Sequence, residues 1–374
     1  MAFSFSFAGD DIEEDHQLPA SSPTAANSTA ANSTAAGPSP SAAGAFPVQG
    51  RPLLPPTHHD LDDILSRLPS KIAFSLLDVV LADGRTVQLP RRELWDVRVQ
   101  LMAEDSTDNP SESEAGLGEH DVKTGIYEGG FKSWESSVDL VKVLASERVA
   151  DGLGRDPCVL IELGCGTALP SLALLQWALA GGQSEQKQPL VLTLADYNPT
   201  VLYLVTLPNL ILAWALQQRE QNPCVGGALT PDEELELTPE VLDAFKGSLA
   251  ANRITLSFLS GAWSPEFVDL LSGSAATASL PATTKTLVLG SETIYSPFAL
   301  ESFSTTLLAI LARERRERPS SNARALVAAK RLYFGVGGSL DDFVDRMRGL
   351  GAAVRTLFEE TQGVHRGVVE CQLF

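Results

Sequence analysis

The chain has 374 residues, 44% hydrophobic and 20% charged, which is enough apolar material for one large α/β domain with tails or for two smaller domains. Asp and Glu number 47 against 28 Lys and Arg, a formal net charge of −19; this argues against a broad nucleic-acid-binding surface and favours a basic protein partner. Four cysteines, Cys158, Cys165, Cys224 and Cys371, contain no CxxC pair, which argues against a disulfide framework or a zinc ribbon and fits a reducing compartment.

At the start of the chain Phe3, Phe5 and Phe7 alternate with small residues, a pattern that suits either a short strand on a sheet edge or a frayed terminus. This stretch lacks the basic region and long apolar core of a secretory signal. Residues 8–57 are rich in Ala, Ser, Pro and Thr, bury too little to offset ordering entropy, and read as a disordered tail. Residues 58–120 read as an extension. Leu61, Ile64, Leu65 and Leu68 stand at helical spacing between a capping Asp60 and a terminating Pro69. Residues 71–102 then predict two or three short strands turning at Asp83-Gly84, and an acidic loop follows over 103–122.

From Asp121 onward apolar strand-like runs alternate with helical segments. Strands are expected at 158–163, 190–196, 254–261, 286–291 and 323–330 and at the C-terminus, with helices at 134–148, 169–180, 199–218, 298–315 and 339–350. That alternation predicts an α/β fold with a mostly parallel sheet covered by helices on both faces. An acidic insertion is expected at about 220–248. No apolar run is expected to reach the ~18 residues that span a membrane.

The sharpest motif is Ile161-Glu162-Leu163-Gly164-Cys165-Gly166-Thr167, at the end of the first strand of this region. Glycines there let the backbone turn and approach a ligand, and open α/β sheets bind ligands outside the carboxyl ends of their strands. Leu169 stands where a dinucleotide fingerprint needs its third glycine. Asp196 ends the next strand. It can accept from both ribose hydroxyls of a nucleoside, or Asp196 or Asn198 can cap the helix that begins at Pro199.

The glycine loop with Asp196 resembles the class I methyltransferases that use S-adenosylmethionine. Further segments narrow the likeness to the protein-histidine methyltransferases. They are Tyr127-Glu128-Gly129-Gly130-Phe131-Lys132-Ser133-Trp134-Glu135, Asp196-Tyr197-Asn198 with Thr206-Leu207-Pro208-Asn209, and Gly261-Ala262-Trp263. Ser291-Glu292-Thr293-Ile294-Tyr295 and Ala329-Lys330 with Tyr333-Phe334-Gly335-Val336-Gly337-Gly338 complete the set. Together they cover nearly all of residues 121–374, although Ala262 replaces an acid found in relatives.

The resemblance implies a seven-stranded class I fold and S-adenosyl-L-methionine as cofactor. It places Ser133, Trp134, Glu135 and Ser136 at the cofactor's methionine end, and Glu162, Gly164 and Gly166 under its middle. Asp196, Tyr197 and Asn198 fall at the ribose, Gly261, Ala262 and Trp263 at the adenine, and Ser291 near the sulfonium. Trp263 can equally be a core residue. The implied substrate is a histidine of large-subunit ribosomal protein three, a basic partner suited to an acidic enzyme.

An imidazole acceptor is largely neutral near pH 7 and needs only a group that fixes its tautomer. Glu292 with Tyr295 forms an E-x-x-Y pair like that of related protein lysine methyltransferases, and Glu128 is a second carboxylate. Glu292 can otherwise be a structural cap. Tyr333 and Phe334 are expected to wall the protein-substrate cleft or to pack on the core. His16, His58, His59, His120 and His365 show no ligand spacing, so no metal is expected. Neither nucleic acid nor membrane is expected as a partner; the chain is expected to be a monomer of cytoplasm and nucleus. The alternatives are a protein-lysine methyltransferase of the same group, or a non-catalytic cofactor-binding ribosome-assembly factor.

Overall fold

The computed structural model describes residues 52–104, 130–181, 187–319 and 323–374. The Phe-rich start, most of the acidic loop and Tyr127-Glu128-Gly129 lie outside the described residues.

The extension begins with β1 (Thr57–His59) and α1 (Leu61–Leu65). The Asp60 carboxylate caps α1 by accepting from the Asp62 and Asp63 N–H groups at 2.8 and 3.3 Å. β2 (Lys71–Val80) and β3 (Thr86–Arg92) form the expected hairpin, with Gly84 at φ +83° in its turn. The last third of that stretch is not a strand but α2 (Leu94–Glu104). Val97-Arg98-Val99-Gln100-Leu101 alternates like a strand, yet Leu94, Val97 and Leu101 are buried at helical spacing while Trp95, Val99 and Met102 face outward.

The larger region runs α3 (Glu135–Ser146), β4 (Cys158–Leu163), α4 (Leu169–Ala180), β5 (Leu190–Asp196) and α5 (Pro199–Val201). A π-helical turn (Leu202–Thr206) leads into α6 (Leu207–Gln218), α7 (Pro223–Ala228), β6 (Glu234–Glu236), α8 (Pro239–Ala251) and β7 (Ile254–Ser260). Then come α9 (Pro265–Ser272), α10 (Ala275–Ala278), β8 (Lys285–Ser291), α11 (Pro297–Glu317) and β9 (Arg324–Lys330). α12 (Leu340–Gly349), β10 (Ala353–Glu360) and β11 (Arg366–Gln372) complete the fold.

The main sheet has the order β1-β7-β5-β4-β8-β9-β11-β10. β7, β5, β4, β8 and β9 pair in parallel, and β11 runs antiparallel between β9 and β10. Leaving β1 aside and numbering the other seven by sequence gives 3-2-1-4-5-7-6 with the seventh reversed, the class I methyltransferase arrangement. The strands alternate between two cores. Leu160, Leu192 and Leu194 face one layer, and Val159, Ile161 and Val191 the other. The chain leaves β4 for β5 on one side and returns as β8 on the other, which places a topological switch point at the carboxyl end of β4.

Four expectations change. Thr57, read as tail, pairs with Ser260, so β1 adds an eighth strand to the sheet. The segment read as an insertion is built into the fold: β6 pairs with β2 to make the small sheet β3-β2-β6, and Val225, Leu235, Val241 and Phe245 are fully buried. β10 went unrecognised because it is an edge strand with mostly exposed side chains and no clean alternation. Residues Pro199–Gln218 do form a helix long and apolar enough to cross a membrane; its burial inside the core identifies it as a central helix of this fold.

Candidate functional site

The site lies beyond the carboxyl ends of β4, β5, β7, β8 and β9. Gly164 and Gly166 take φ +67° and +48°, a region costly for any side chain. A Cβ on Gly164 would stand 2.7 Å from Thr293 Cγ2, and one on Gly166 3.1 Å from the Gly130 carbonyl oxygen. The loop is held from below by two residues that the sequence motif contained without a role. Thr206 Oγ1 donates to the Gly166 carbonyl at 2.7 Å. Asn209 Nδ2 donates to the Thr167 carbonyl at 3.0 Å, while its Oδ1 accepts from the Arg92 N–H at 2.7 Å. The available signal was their polarity inside an otherwise apolar helical run, and the π-helical turn is what brings Thr206 under the loop.

Glu162 is buried at the end of β4. Its carboxyl group accepts from the N–H and the hydroxyl of Ser171, taking over the capping that Ala168 cannot supply to α4. Burial pushes this carboxyl up to about 8 despite the Ser171 bonds, which favours its protonated form in the fold. Ser133 reaches the loop through Thr167, the two hydroxyls lying 3.0 Å apart.

Of the two residues that the sequence offered as cap for the helix at Pro199, the structure uses Asn198. Asn198 is the helix cap, its Oδ1 accepting from Thr200 N–H and Oγ1 at 3.0 and 2.9 Å. Asp196 accepts from Gly166 N–H through Oδ2 at 3.1 Å and from Asn198 N–H through Oδ1 at 3.0 Å. Burial raises its carboxyl to about 6, against the pull of those bonds. Gly261 N–H is shared by the carbonyls of Asp196 and Tyr197 at 3.2 and 3.1 Å, which ties the loops after β5 and β7 together. The Tyr197 hydroxyl accepts from Leu54 N–H at 3.1 Å. Ala262 is buried beside it, its N–H donating to the Leu54 carbonyl at 2.9 Å.

Trp263 packs edge-on against Phe303 with centroids 5.4 Å apart, so it serves the core on one side. On the other it lies against Gly164. Its Nε1 is buried without a hydrogen-bond partner, and so are Ser291 Oγ and Thr293 Oγ1. Three orphaned polar atoms around one glycine loop match a polar ligand better than a closed core, where each would cost about 1–3 kcal/mol.

The carboxylate at the end of β8 is Glu292, a non-glycine residue at φ +57°. It accepts from the Ser136 hydroxyl and, at 2.5 Å, from the Tyr333 hydroxyl, so Tyr333 rather than Tyr295 is its phenolic partner. Tyr295 contributes its backbone, the carbonyl accepting from Gly338 N–H at 3.0 Å. Burial raises the Glu292 carboxyl above the usual range, opposed by the charge of Lys330, the two hydroxyl donors and the charge of Arg366. The Tyr333 phenol is pushed well above its ordinary value by burial and then by Glu292, so it remains a donor.

The Lys330 ammonium lies 5.2 Å from the centroid of the Trp134 ring and 5.9 Å from that of Tyr333. Glu135, at the start of α3, accepts from Arg366 at 2.9 Å, while Arg366 Nε donates to Asp139 at 2.7 Å. Phe334 is 83% exposed on the rim beside Leu332, so it does not pack on the core. Glu128 lies outside the described residues. Among the described residues no cluster of His, Cys, Asp and Glu could hold a metal ion.

No protein-family model matches the chain. It is 36% identical over 361 residues to "Histidine protein methyltransferase 1" of Saccharomyces cerevisiae, covering 92% of this chain and 89% of that one. It is 33% identical over 313 residues to the Schizosaccharomyces pombe protein of the same name, covering 83% of each. The Bos taurus "Histidine protein methyltransferase 1 homolog" is 31% identical over 254 residues, 67% of this chain and 57% of that one. Among solved structures, the N-terminal domain of human METTL16 in complex with SAH aligns with a TM-score of 0.36 at 10% identity, over 79% of this chain and 88% of that one.

Proposed function

The chain belongs to the histidine protein methyltransferase family, and from that premise we propose that it methylates one histidine of a basic protein of the large ribosomal subunit, with S-adenosylmethionine as donor. The observation that carries the reading is a glycine loop bordered by orphaned polar atoms, set next to a buried, doubly hydrogen-bonded carboxylate. The residues fit the donor. Gly164 and Gly166 leave a cradle that side chains would fill, and Asp196 offers a carboxylate beside it. Trp263, Ser291 and Thr293 supply unmatched polar atoms. Bound there, S-adenosylmethionine supplies an electrophilic methyl group.

The protein's share of the work is alignment and control of protons. An imidazole acceptor must present one ring nitrogen unprotonated, and a group that accepts from the other N–H selects that tautomer. We assign this to Glu292. Ser136 and Tyr333 hold its carboxylate, and the left-handed backbone fixes the direction of its side chain. As the acceptor ring gains positive charge, the same carboxylate stabilises it in a site partly shielded from water. Lys330 opposes the effect of burial and keeps more of Glu292 ionised. On the rim, Phe334 and Leu332 offer apolar contact to the polypeptide around the acceptor. The net charge of −19 draws a basic partner in over long range. A ribosomal substrate would place the reaction in the cytoplasm, the nucleus or both.

The test is mass spectrometry of ribosomal proteins from cells lacking this chain, before and after incubation with the purified protein and S-adenosylmethionine. One histidine peptide of a large-subunit protein is expected to gain a single methyl group. A mark on lysine, or on no ribosomal protein, overturns the substrate assignment.

A further inference from the structure

The segment Leu54 to His59, which leads into and includes β1, has no role in the chemistry above, yet it crosses the two loops that would flank a nucleoside. Its contacts fall on both. Leu54 N–H donates to the Tyr197 hydroxyl, on the loop after β5, at 3.1 Å. The Leu54 carbonyl accepts from Ala262 N–H, on the loop after β7, at 2.9 Å. The chain then runs over Gly261 so closely that a Cβ there would stand 2.4 Å from the Pro55 carbonyl oxygen and 2.8 Å from Pro56 Cα. Glycine at 261, with φ +102°, is therefore required by the crossing segment as well as by the turn. Beyond it, β1 fastens the strap to the edge of the sheet, with Thr57 opposite Ser260 and His59 opposite Phe258. His59 Nε2 also lies 2.7 Å from Ser260 Oγ.

We propose that Leu54, Pro55 and Pro56 form the outer wall of the nucleoside end of the cofactor site, latched to it through the Tyr197 hydroxyl. This rests on the reading of the cleft as an S-adenosylmethionine site. The two prolines make a suitable wall: they hold an extended backbone without internal hydrogen bonds, so docking orders little that was free. β1 is only three residues long and lies at a sheet edge, so its pairing belongs to the least stable part of the sheet. A marginal strap laid on a ligand site is energetically linked to that ligand. If the docked strap tightens binding by some factor, the bound ligand stabilises docking by the same factor.

Tyr197 thus works on the strap through its hydroxyl, which separates its role from that of the adjacent Asp196. The latch also commits the Ala262 N–H to Leu54, and the small, buried Ala262 side chain lies under the crossing.

The experiment is hydrogen exchange of the full chain with and without S-adenosylhomocysteine, together with calorimetric titration of the same ligand into Tyr197→Phe, Leu54→Pro and the double variant. Leu54→Pro removes the donor without touching Tyr197. Each single variant is expected to bind about fivefold more weakly, the worth of one net hydrogen bond, and the double variant no more weakly than either single one. The ligand is expected to slow exchange at residues 57–59 in the native chain. Unchanged exchange there, or native affinity in Leu54→Pro, overturns the strap and leaves the cofactor reading standing. Failure of the native chain to bind S-adenosylhomocysteine at all overturns both.

Discussion

The two ends of the same parallel strands treat polar groups in opposite ways. At the amino ends charges are matched. Arg324, which opens β9, pairs with Glu370 at 2.8 Å and Glu147 at 3.3 Å, and Lys285, which opens β8, pairs with Asp156 at 2.6 Å. Burial would raise the Glu370 carboxyl, but the hydrogen bonds and charges of Arg324 and Arg355 outweigh it and hold it below its usual value. At the carboxyl ends the acids move the other way: Glu162, Asp196 and Glu292 are all raised, Glu292 sits in left-handed backbone, and three polar atoms lack partners. One end looks like a structure completed by its own side chains, the other like one completed by a ligand. Raised carboxyls and strained backbone at one edge of one sheet are what a site costs in stability, and the paired edge offsets part of it.

The comparison breaks if the strained end turns out to be structural, and Glu292 tests this most sharply. Glu292→Gln retains the shape and one accepting oxygen, turns the other into a donating amide, and removes the negative charge. Methyl transfer is expected to fall on the order of 100-fold, with affinity for S-adenosylhomocysteine within about twofold of native. A variant that transfers methyl normally would make Glu292 a cap for Ser136 and nothing more.

A smaller effect is expected at Lys330. Its charge is the leading influence that opposes burial at Glu292, so Lys330→Met raises the Glu292 carboxyl further. Protonation of Glu292 removes the acceptor for the imidazole N–H, so the acid limb of the transfer rate should move to higher pH by about one unit, within the span one nearby charge produces. In kcat/KM the histidine that titrates is that of the free substrate and is the same for both proteins, so the difference between the profiles isolates the enzyme. Lys330→Arg should restore the native profile. An unmoved acid limb in Lys330→Met would reduce Lys330 to a packing role against Trp134.

Much of the strained end was legible in the sequence because its motifs sit where the fold changes period. The glycine loop, Asp196 and Glu292 all lie at the last residues of apolar runs, and strand ends are where the α/β rule sends ligands. What was not legible depends on who meets whom. Glu162 and Glu135 carry the right charge in the right motif, yet their carboxylates point at Ser171 and Arg366. The sequence joins Glu292 to Tyr295 and gives Tyr333 to the cleft wall or the core; the Tyr333 hydroxyl meets Glu292 only once the loop after β9 folds back over β8. The strap and the β2–β6 pairing join residues more than 140 positions apart, and local pattern holds no information about such pairings. α2 was misread because five residues alternate by chance, and the tertiary contacts of Leu94, Val97 and Leu101 decide the matter.

Stability against pH sharpens the contrast further. Burial pushes the Glu162 carboxyl up to about 8 in the folded chain, from the 4.5 of a free glutamate. Between those values the unfolded state has released a proton that the folded state still holds, so stability falls as pH rises through this window and levels off above it. Glu162→Gln mimics the protonated acid and retains an acceptor for Ser171. Its unfolding free energy should lack that slope, which is on the order of 1 kcal/mol per pH unit. Denaturant titrations from pH 5 to pH 8 measure it, and parallel curves for the two proteins would show that Glu162 is ionised in the fold. Glu370 has the opposite sign: its depressed carboxyl contributes stability above about pH 4.5 that is lost as pH falls.

The smallest effect belongs to the paired end. Lys285 and Asp156 are joined at 2.6 Å, but both side chains are about half exposed, so water screens the attraction and ordering the long lysine side chain offsets part of it. Lys285→Ala should therefore cost less than about 1 kcal/mol and leave both methyl transfer and S-adenosylhomocysteine affinity unchanged. The small number is informative because β8 carries Lys285 at its first residue and Ser291, next to Glu292, at its last. A change at one end of a rigid, fully paired strand should not be felt at the other. Measurable loss of transfer in Lys285→Ala, at unchanged stability, would mean that β8 shifts along its length and that the two ends are a single coupled device.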